Sequence, residues 1–190
     1  MSDDKIKQLA YRVIKSEKDA FDDLFRLLYA PLVRFAFKYT RQKSSAGDIV
    51  QDAFVKLWLK RKKLDPEQSV KAYLFKIVRN LSLNYLRDNS HESKGLEADN
   101  LVSDMSEGIT DHSNDEHQVR LDLLKQWIQN LPERQRDALE MSRFEGLSHK
   151  EIAEVMNVSK RTVNNHIVAA MKNMKRFHDE HQEIQATLYG

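Results

Sequence analysis

The sequence predicts an all-α protein: two small helical domains joined by a flexible acidic linker, the C-terminal one containing a helix-turn-helix. Three observations carry that expectation. Apolar residues recur at the three- and four-residue spacing of helices through most of the chain. Five Gly and three Pro in 190 residues leave few of the breakers that β turns need. Between residues 90 and 118 the apolar period lapses while acids accumulate against a single Lys94, the composition of a linker rather than of a packed element.

Composition narrows the chemistry. A hydrophobic content of 41% supports packed cores, and 32% charged residues suit small domains with much surface. The net charge is only +2, so a nucleic-acid surface has to come from segregation of charge along the chain. There is no cysteine, which excludes disulfides, zinc fingers and thiol catalysis and fits a reducing, cytoplasmic setting. No apolar run approaches the roughly 20 residues of a membrane span, so no direct membrane insertion is expected. The opening MSDDKIKQLA lacks a signal-peptide core.

Taken in order, Met1 to Ser16 reads as a short helix with Ile6, Leu9, Ala10 and Val13 along one side. From Asp19 a longer pattern runs through Phe21, Leu24, Phe25, Leu28, Leu32, Phe35 and Ala36, with a kink or break expected at Pro31. A second long helix is expected from Ser45 to Arg61. Its apolar residues, Ala46, Ile49, Val50, Ala53, Phe54, Leu57 and Trp58, cover nearly half its circumference, which is wide for a small bundle. Either the helix is buried between two neighbours, or Phe54 and Trp58 join a partner surface with Asp48, Gln51 and Asp52. The basic run Lys60 to Lys63 follows, and Leu64-Asp65-Pro66 breaks the chain.

The next helix is expected from Ser69 to Arg87, with Val70, Leu74, Ile77, Val78, Leu81 and Tyr85 as its core stripe. Tyr73, Lys76, Asn80, Asn84 and Arg87 share another face, and no acid occurs between Gln68 and Arg87. An aromatic among cations and amides beside a basic loop suits single-stranded nucleic acid, although a solvated face would look the same in isolation. His91, His112 and His117 in the linker region lack metal-ligand spacing and are expected to be solvated.

Beyond the linker, Val119 to Asn130 is amphipathic, Leu131-Pro132 breaks it, and a further helix from Pro132 ends at Gly146. Ser148 followed three residues later by Glu151 is a capping box. Ile152, Val155 and Met156 give the helix that it opens an apolar face. Asn157, which tolerates the left-handed conformation, marks the turn, and Ser159 caps the next helix. That last helix is expected to reach about Phe177, with Val163, Ile167, Ala170, Met171, Met174 and Phe177 inward. Arg161, Asn165, Val168, Lys172 and Arg176 fall on the opposite side, with Lys160 and Asn164 near its edge. This layout suits a DNA-reading helix: Arg and Lys reach guanine edges or phosphates, Asn pairs with adenine, and Val meets a thymine methyl. Residues 178–190 read as a tail with some helical character.

DIVQDAFVKLW, AYLFKIVRNLSLNYLR and LPERQRDALEMSRFEGLSHKEIAEVMNVSKRTVNNHI, in this order around an acidic linker, resemble an extracytoplasmic-function (ECF) sigma factor of bacterial RNA polymerase. The resemblance spans about Phe21 to Phe177. It implies a dissociable promoter-specificity subunit that binds RNA polymerase core and promoter DNA, with an anti-sigma factor expected as its regulator. Residues 1–89 would bind core polymerase through Asp48, Gln51, Asp52, Phe54 and Trp58, and would read and melt the −10 element through Lys62, Lys63, Tyr73, Lys76, Asn80, Asn84 and Arg87. Residues 90–118 would form the linker. Residues 119–177 would read the −35 element through Lys160, Arg161, Asn164, Asn165, Val168 and Lys172. Tyr73 stands where the family often has Trp, and Asn84 where it often has Asp. HIVAAMKNMKR departs from the family's RLxRAR-like ending.

No cofactor, metal site or catalytic residue is expected, and nucleotidyl transfer would belong to the polymerase. Two other readings are open. SKRTVNNHI also resembles the output domain of LuxR-type regulators, which would make the chain a stand-alone DNA-binding protein with strands in its N-terminal half. A metal-dependent nuclease would need clustered carboxylates, but Asp48 and Asp52, with Lys56 following, read as an ion-paired face.

Overall fold

The computed structural model describes residues 2–65, 67–89 and 115–189. The expected linker up to residue 114, with His91 and His112, lies outside them, as does Pro66. Among the described residues there are eight α-helices and no strand. The chain divides into two compact units, one N-terminal and one C-terminal.

The N-terminal unit contains α1 (Ser2–Ile14), α2 (Lys18–Thr40), α3 (Lys43–Lys60) and α4 (Val70–Asp88), with a single 3-10 turn over Arg61–Lys63. Helix α2 packs against the other three. No break occurs at Pro31, because α2 runs through it. A proline inside a helix costs about 3 kcal/mol. Leu28, Leu32 and Phe35 flank it and are buried, and each such side chain contributes about 1.5–3 kcal/mol, so packing outweighs the missing hydrogen bond. Helix α2 ends at Arg41, whose left-handed φ of 54° lets its N–H donate to the Phe37 carbonyl.

Helix α3 packs against both α2 and α4, which accounts for its wide apolar stripe. Phe54 is 2% exposed. Its ring meets Phe21 edge-on at 5.9 Å and Phe25 at 4.8 Å. Ser69 caps α4 by accepting the Ala72 N–H at 3.2 Å. Of the expected core of α4, Val70, Leu74 and Val78 are buried, whereas Ile77, Leu81 and Tyr85 are only half-buried; Ala72, Phe75, Arg79 and Ser82 are buried as well, because the helix packs against both α2 and α3. Phe75 lies 5.1 Å from Phe35. At the other end the Tyr85 hydroxyl donates to Gln42 Oε1 at 3.0 Å, tying α4 to the start of α3.

The C-terminal unit contains α5 (Asp115–Gln129), α6 (Glu133–Arg143), α7 (His149–Met156) and α8 (Lys160–Tyr189). Helix α5 starts before the expected Val119. Arg136 donates to the Gln129 carbonyl at 2.9 Å and closes the end of α5. Leu131, Leu139 and Ala170 form a core on which Met174 and Phe177 pack. Met171, expected inward, is 47% exposed: it lies one residue, or about 100°, from Ala170, beyond the edge of the buried stripe. Helix α8 does not end near Phe177. Residues 178–189 contain neither Gly nor Pro, and Arg176 pairs with Glu180 one turn on at 3.6 Å. Trp127 of α5 meets the rings of His178 and His181 edge-on at 5.9 and 6.0 Å, so part of the expected tail is packed.

Candidate nucleic-acid and partner interfaces

Three exposed faces carry the residues that the sequence singles out. The first opens α8. Ser148 and Glu151 form the full capping box of α7: Ser148 Oγ accepts the Glu151 N–H and the Glu151 carboxylate accepts the Ser148 N–H. Asn157 ends α7 with φ 55°, and the Val158 N–H returns to the Ala153 carbonyl at 3.0 Å, the αL stop that Asn makes possible. Ser159 Oγ then accepts the Thr162 N–H at 3.0 Å and also pairs with the Thr162 hydroxyl at 2.8 Å. The first turn of α8 is thereby fixed. Val163, Ile167 and Ala170 are buried, while Lys160, Arg161, Asn164, Asn165, Val168 and Lys172 are all exposed. Among the described residues none of these six side chains is tied to another. A rigid helix therefore offers cations, amides and one apolar side chain (Val168, 59% exposed) to a ligand.

The second face joins the 61–69 loop to α4. Lys62, Lys63, Lys76, Asn80, Asn84 and Arg87 are exposed, and Tyr73 is half-buried. Burial pushes the Tyr73 phenol above its ordinary value, and the half-buried side chain keeps an accessible part, as a stacking platform requires. Arg87 is partly engaged, because its Nε lies 3.1 Å from the Asp88 carboxylate. The face runs along α4 at i, i+3, i+7, i+11 and i+14 from Tyr73, as one helical stripe.

The third face is the outer side of α3. Asp48, Gln51 and Asp52 are exposed there, and among the described residues neither carboxylate pairs with Lys56, contrary to the ion-paired face expected. Phe54 does not belong to this surface, since its direction is core; of the two expected aromatics only Trp58 stays partly accessible. Arg61 covers the Trp58 ring at 4.1 Å and donates to the Trp58 carbonyl at 2.7 Å. Two residues that the reading of the sequence missed complete the face: Val55 is 55% and Leu59 73% exposed. They lie seven and eleven residues beyond Asp48, and so on its side of the helix. The signal was present as two apolar residues outside the core stripe. Among the described residues no group of three His, Asp or Glu side chains could hold a metal ion, and no helix is long and apolar enough to cross a membrane.

Comparison with known proteins follows this division. The Sigma-70 region 2 family matches residues 24–92, and the Sigma-70, region 4 family matches residues 121–174. The chain is 24% identical over 159 residues to the ECF RNA polymerase sigma factor SigM of Bacillus subtilis, covering 83% of this chain and 94% of that protein. It is 28% identical over 171 residues to the ECF RNA polymerase sigma-E factor of Escherichia coli K12, covering 85% and 88%. Among solved structures, the sigma factor RpoE in complex with the anti-sigma factor NepR from Bartonella quintana has a similar fold, with a TM-score of 0.64 at 23% identity over 86% of this chain and 98% of that one. The region 2 match takes in the N-terminal half, where a LuxR-type regulator would carry a different domain, and so disfavours that alternative. With both sigma regions present in order, and with ECF relatives matched over most of their length, this chain belongs to the ECF sigma factors, which direct RNA polymerase to promoters.

Proposed function

We propose a division of labour among the three faces. The outer side of α3, with Asp48, Gln51 and Asp52 around Val55, Leu59 and the edge of Trp58, docks on RNA polymerase core. Residues 1–89 then capture the −10 element: Lys62, Lys63, Lys76 and Arg87 neutralise phosphates, Tyr73 stacks an unpaired base, and Asn80 and Asn84 offer amide hydrogen bonds. Unstacking a base costs a few kcal/mol, which stacking worth about 1–3 kcal/mol per base and the pocket contacts offset. Residues 119–177 read the −35 element with Lys160, Arg161, Asn164, Asn165, Val168 and Lys172. Residues 90–118 join the two. The chain performs no covalent chemistry of its own and acts in the cytoplasm. An anti-sigma factor holds it inactive, a reading supported by the relative RpoE of Bartonella quintana, whose structure is a complex with the anti-sigma factor NepR.

The observation that carries this reading is the capped first turn of α8 with its untied polar side chains. The experiment is a sizing column. The purified chain, mixed with bacterial core RNA polymerase, co-migrates with it, and the complex retains promoter DNA. A folded chain that ignores core polymerase but binds palindromic DNA as a dimer would replace this account with the stand-alone regulator.

A further inference from the structure

Helix α1 lies before the matched span of residues 24–92, and its contacts have a direction. Lys7 Nζ lies 3.1 Å from the Glu67 carboxylate, and the Tyr11 hydroxyl donates to the other oxygen of the same carboxylate. Glu67 belongs to the loop between α3 and α4. That loop is stitched internally: Leu64 N–H donates to the Arg61 carbonyl, Gln68 N–H to the Asp65 carbonyl at 3.0 Å, and Glu67 N–H to the Asp65 carboxylate at 2.9 Å. The other end of the loop is held from the same side. Arg61 Nε donates to Ser16 Oγ at 2.9 Å. Ser16 stands just after α1 with φ 69°, a left-handed position that a side chain occupies at a cost glycine would avoid. The strained serine supplies the acceptor that glycine lacks.

We propose that α1 and Ser16 form a clasp that positions the 61–69 loop, holding it at Arg61 and at Glu67 so that the exposed Lys62 and Lys63 between them meet the −10 strand in one geometry. Lys7, Tyr11, Ser16 and Glu67 are positioning residues: they act through the loop and do not touch DNA. The alternative, an ordinary exposed ion pair, would tie two points of the surface with no effect on the segment between. Two separate anchors bracketing a cationic loop set the arrangement apart from that. The tyrosine matters as well as the lysine, because it fixes the second carboxylate oxygen and thus the orientation of Glu67.

This inference rests on the −10 role proposed above, and its test separates the two. Three full-length variants are compared with the parent: Tyr11→Phe with Lys7→Met, Ser16→Gly, and the charge reversal Lys7→Glu with Glu67→Lys. Amide hydrogen exchange of the free chain reads the clasp directly. Exchange across residues 62–68 should accelerate about three- to tenfold in the first two variants, while the reversal restores part of the protection. In complex with core polymerase, the preference for a cognate over a mismatched −10 element should fall by a similar factor, with core affinity unchanged. Unaltered exchange in the loop would overturn the clasp. Faster exchange with undiminished −10 preference would overturn its positioning role. If the parent chain itself shows no −10 preference in the polymerase complex, the −10 assignment fails, and the exchange result still decides whether the clasp exists.

Discussion

Replacing Leu59 by Ala separates a partner face from a core. Leu59 is 73% exposed and Val55 55%, whereas Phe54 on the same helix is 2% exposed. Fully burying a leucine contributes about 1.5–3 kcal/mol. With some three quarters of Leu59 still in water, its burial against core polymerase is worth about 1–2 kcal/mol, or about 5- to 30-fold in Kd at 1.4 kcal/mol per decade. The free chain should be almost indifferent, since substitutions at exposed sites fall within about 0.5 kcal/mol. Phe54→Ala is the control of opposite character: it empties a site between Phe21 and Phe25 and should cost about 3–5 kcal/mol of stability. Competition for core polymerase, read by fluorescence anisotropy, gives the affinities, and thermal unfolding of the same preparations gives the stabilities. Leu59→Ala should bind core at least several-fold more weakly with an unchanged Tm, and Phe54→Ala should show a lowered Tm. A Leu59→Ala chain that is as stable as the parent and competes as well would refute the assignment of the outer face of α3.

Arg161→Ala and Asn165→Ala should each weaken promoter-specific transcription by an amount equivalent to about 1–3 kcal/mol at the base pair read, leaving core binding intact; transcription at the parental level by both would remove the recognition face. Tyr73→Ala should lose about 1–3 kcal/mol of open-complex stability while Tyr73→Phe stays near the parent, as followed by permanganate reactivity of melted thymines. Asn157→Ala should cost about 1–2 kcal/mol, because alanine is strained at φ 55°, whereas Asn157→Gly should not; denaturant unfolding distinguishes them. Loop geometry at Glu67 should also depend on pH in a defined sense. The Tyr11 hydrogen bond, followed by Lys7, holds the Glu67 carboxyl below its ordinary 4.5, so that contribution is present above this value and fades as pH falls through the depressed pKa. Their hydrogen bonds to Glu67 raise Tyr11 above 10.0 and Lys7 above 10.5, so their contribution is complete below those values and fades as pH rises through the raised ones. Loop amide NMR shifts should therefore be constant through neutrality and move only in acid or strong alkali; a midpoint near neutrality would contradict the assignment.

Local rules made much of the structure legible. The capping box at Ser148, the left-handed stop at Asn157 and the cap at Ser159 are short-range chemistry, and each is found where its residue types placed it. Exposure of the α4 and α8 faces followed from helical period alone. Most of the errors have a different origin, since they depended on what lies across from a helix; Met171, at the edge of its own stripe, is the exception. Pro31 sits in an unbroken helix because Leu28, Leu32 and Phe35 are buried around it. Phe54 turned inward because α3 has neighbours on two sides, and the same enclosure left Val55 and Leu59 as the apolar residues on its outer face. The continuation of α8 past Phe177 involves contacts of Trp127, fifty residues earlier, with His178 and His181. The clasp on Glu67 joins residues 56 and 60 apart in sequence, a distance at which no periodic pattern speaks.

In vitro transcription over a library of promoter sequences, with core polymerase supplied with and without this chain, tests the central claim most directly. The account predicts transcripts that depend on the chain, arise from templates sharing a −35 and a −10 element, and lose their −35 dependence when Arg161 or Asn165 is replaced. Transcription indifferent to the chain, with the protein folded and free of any inhibitor, would contradict it.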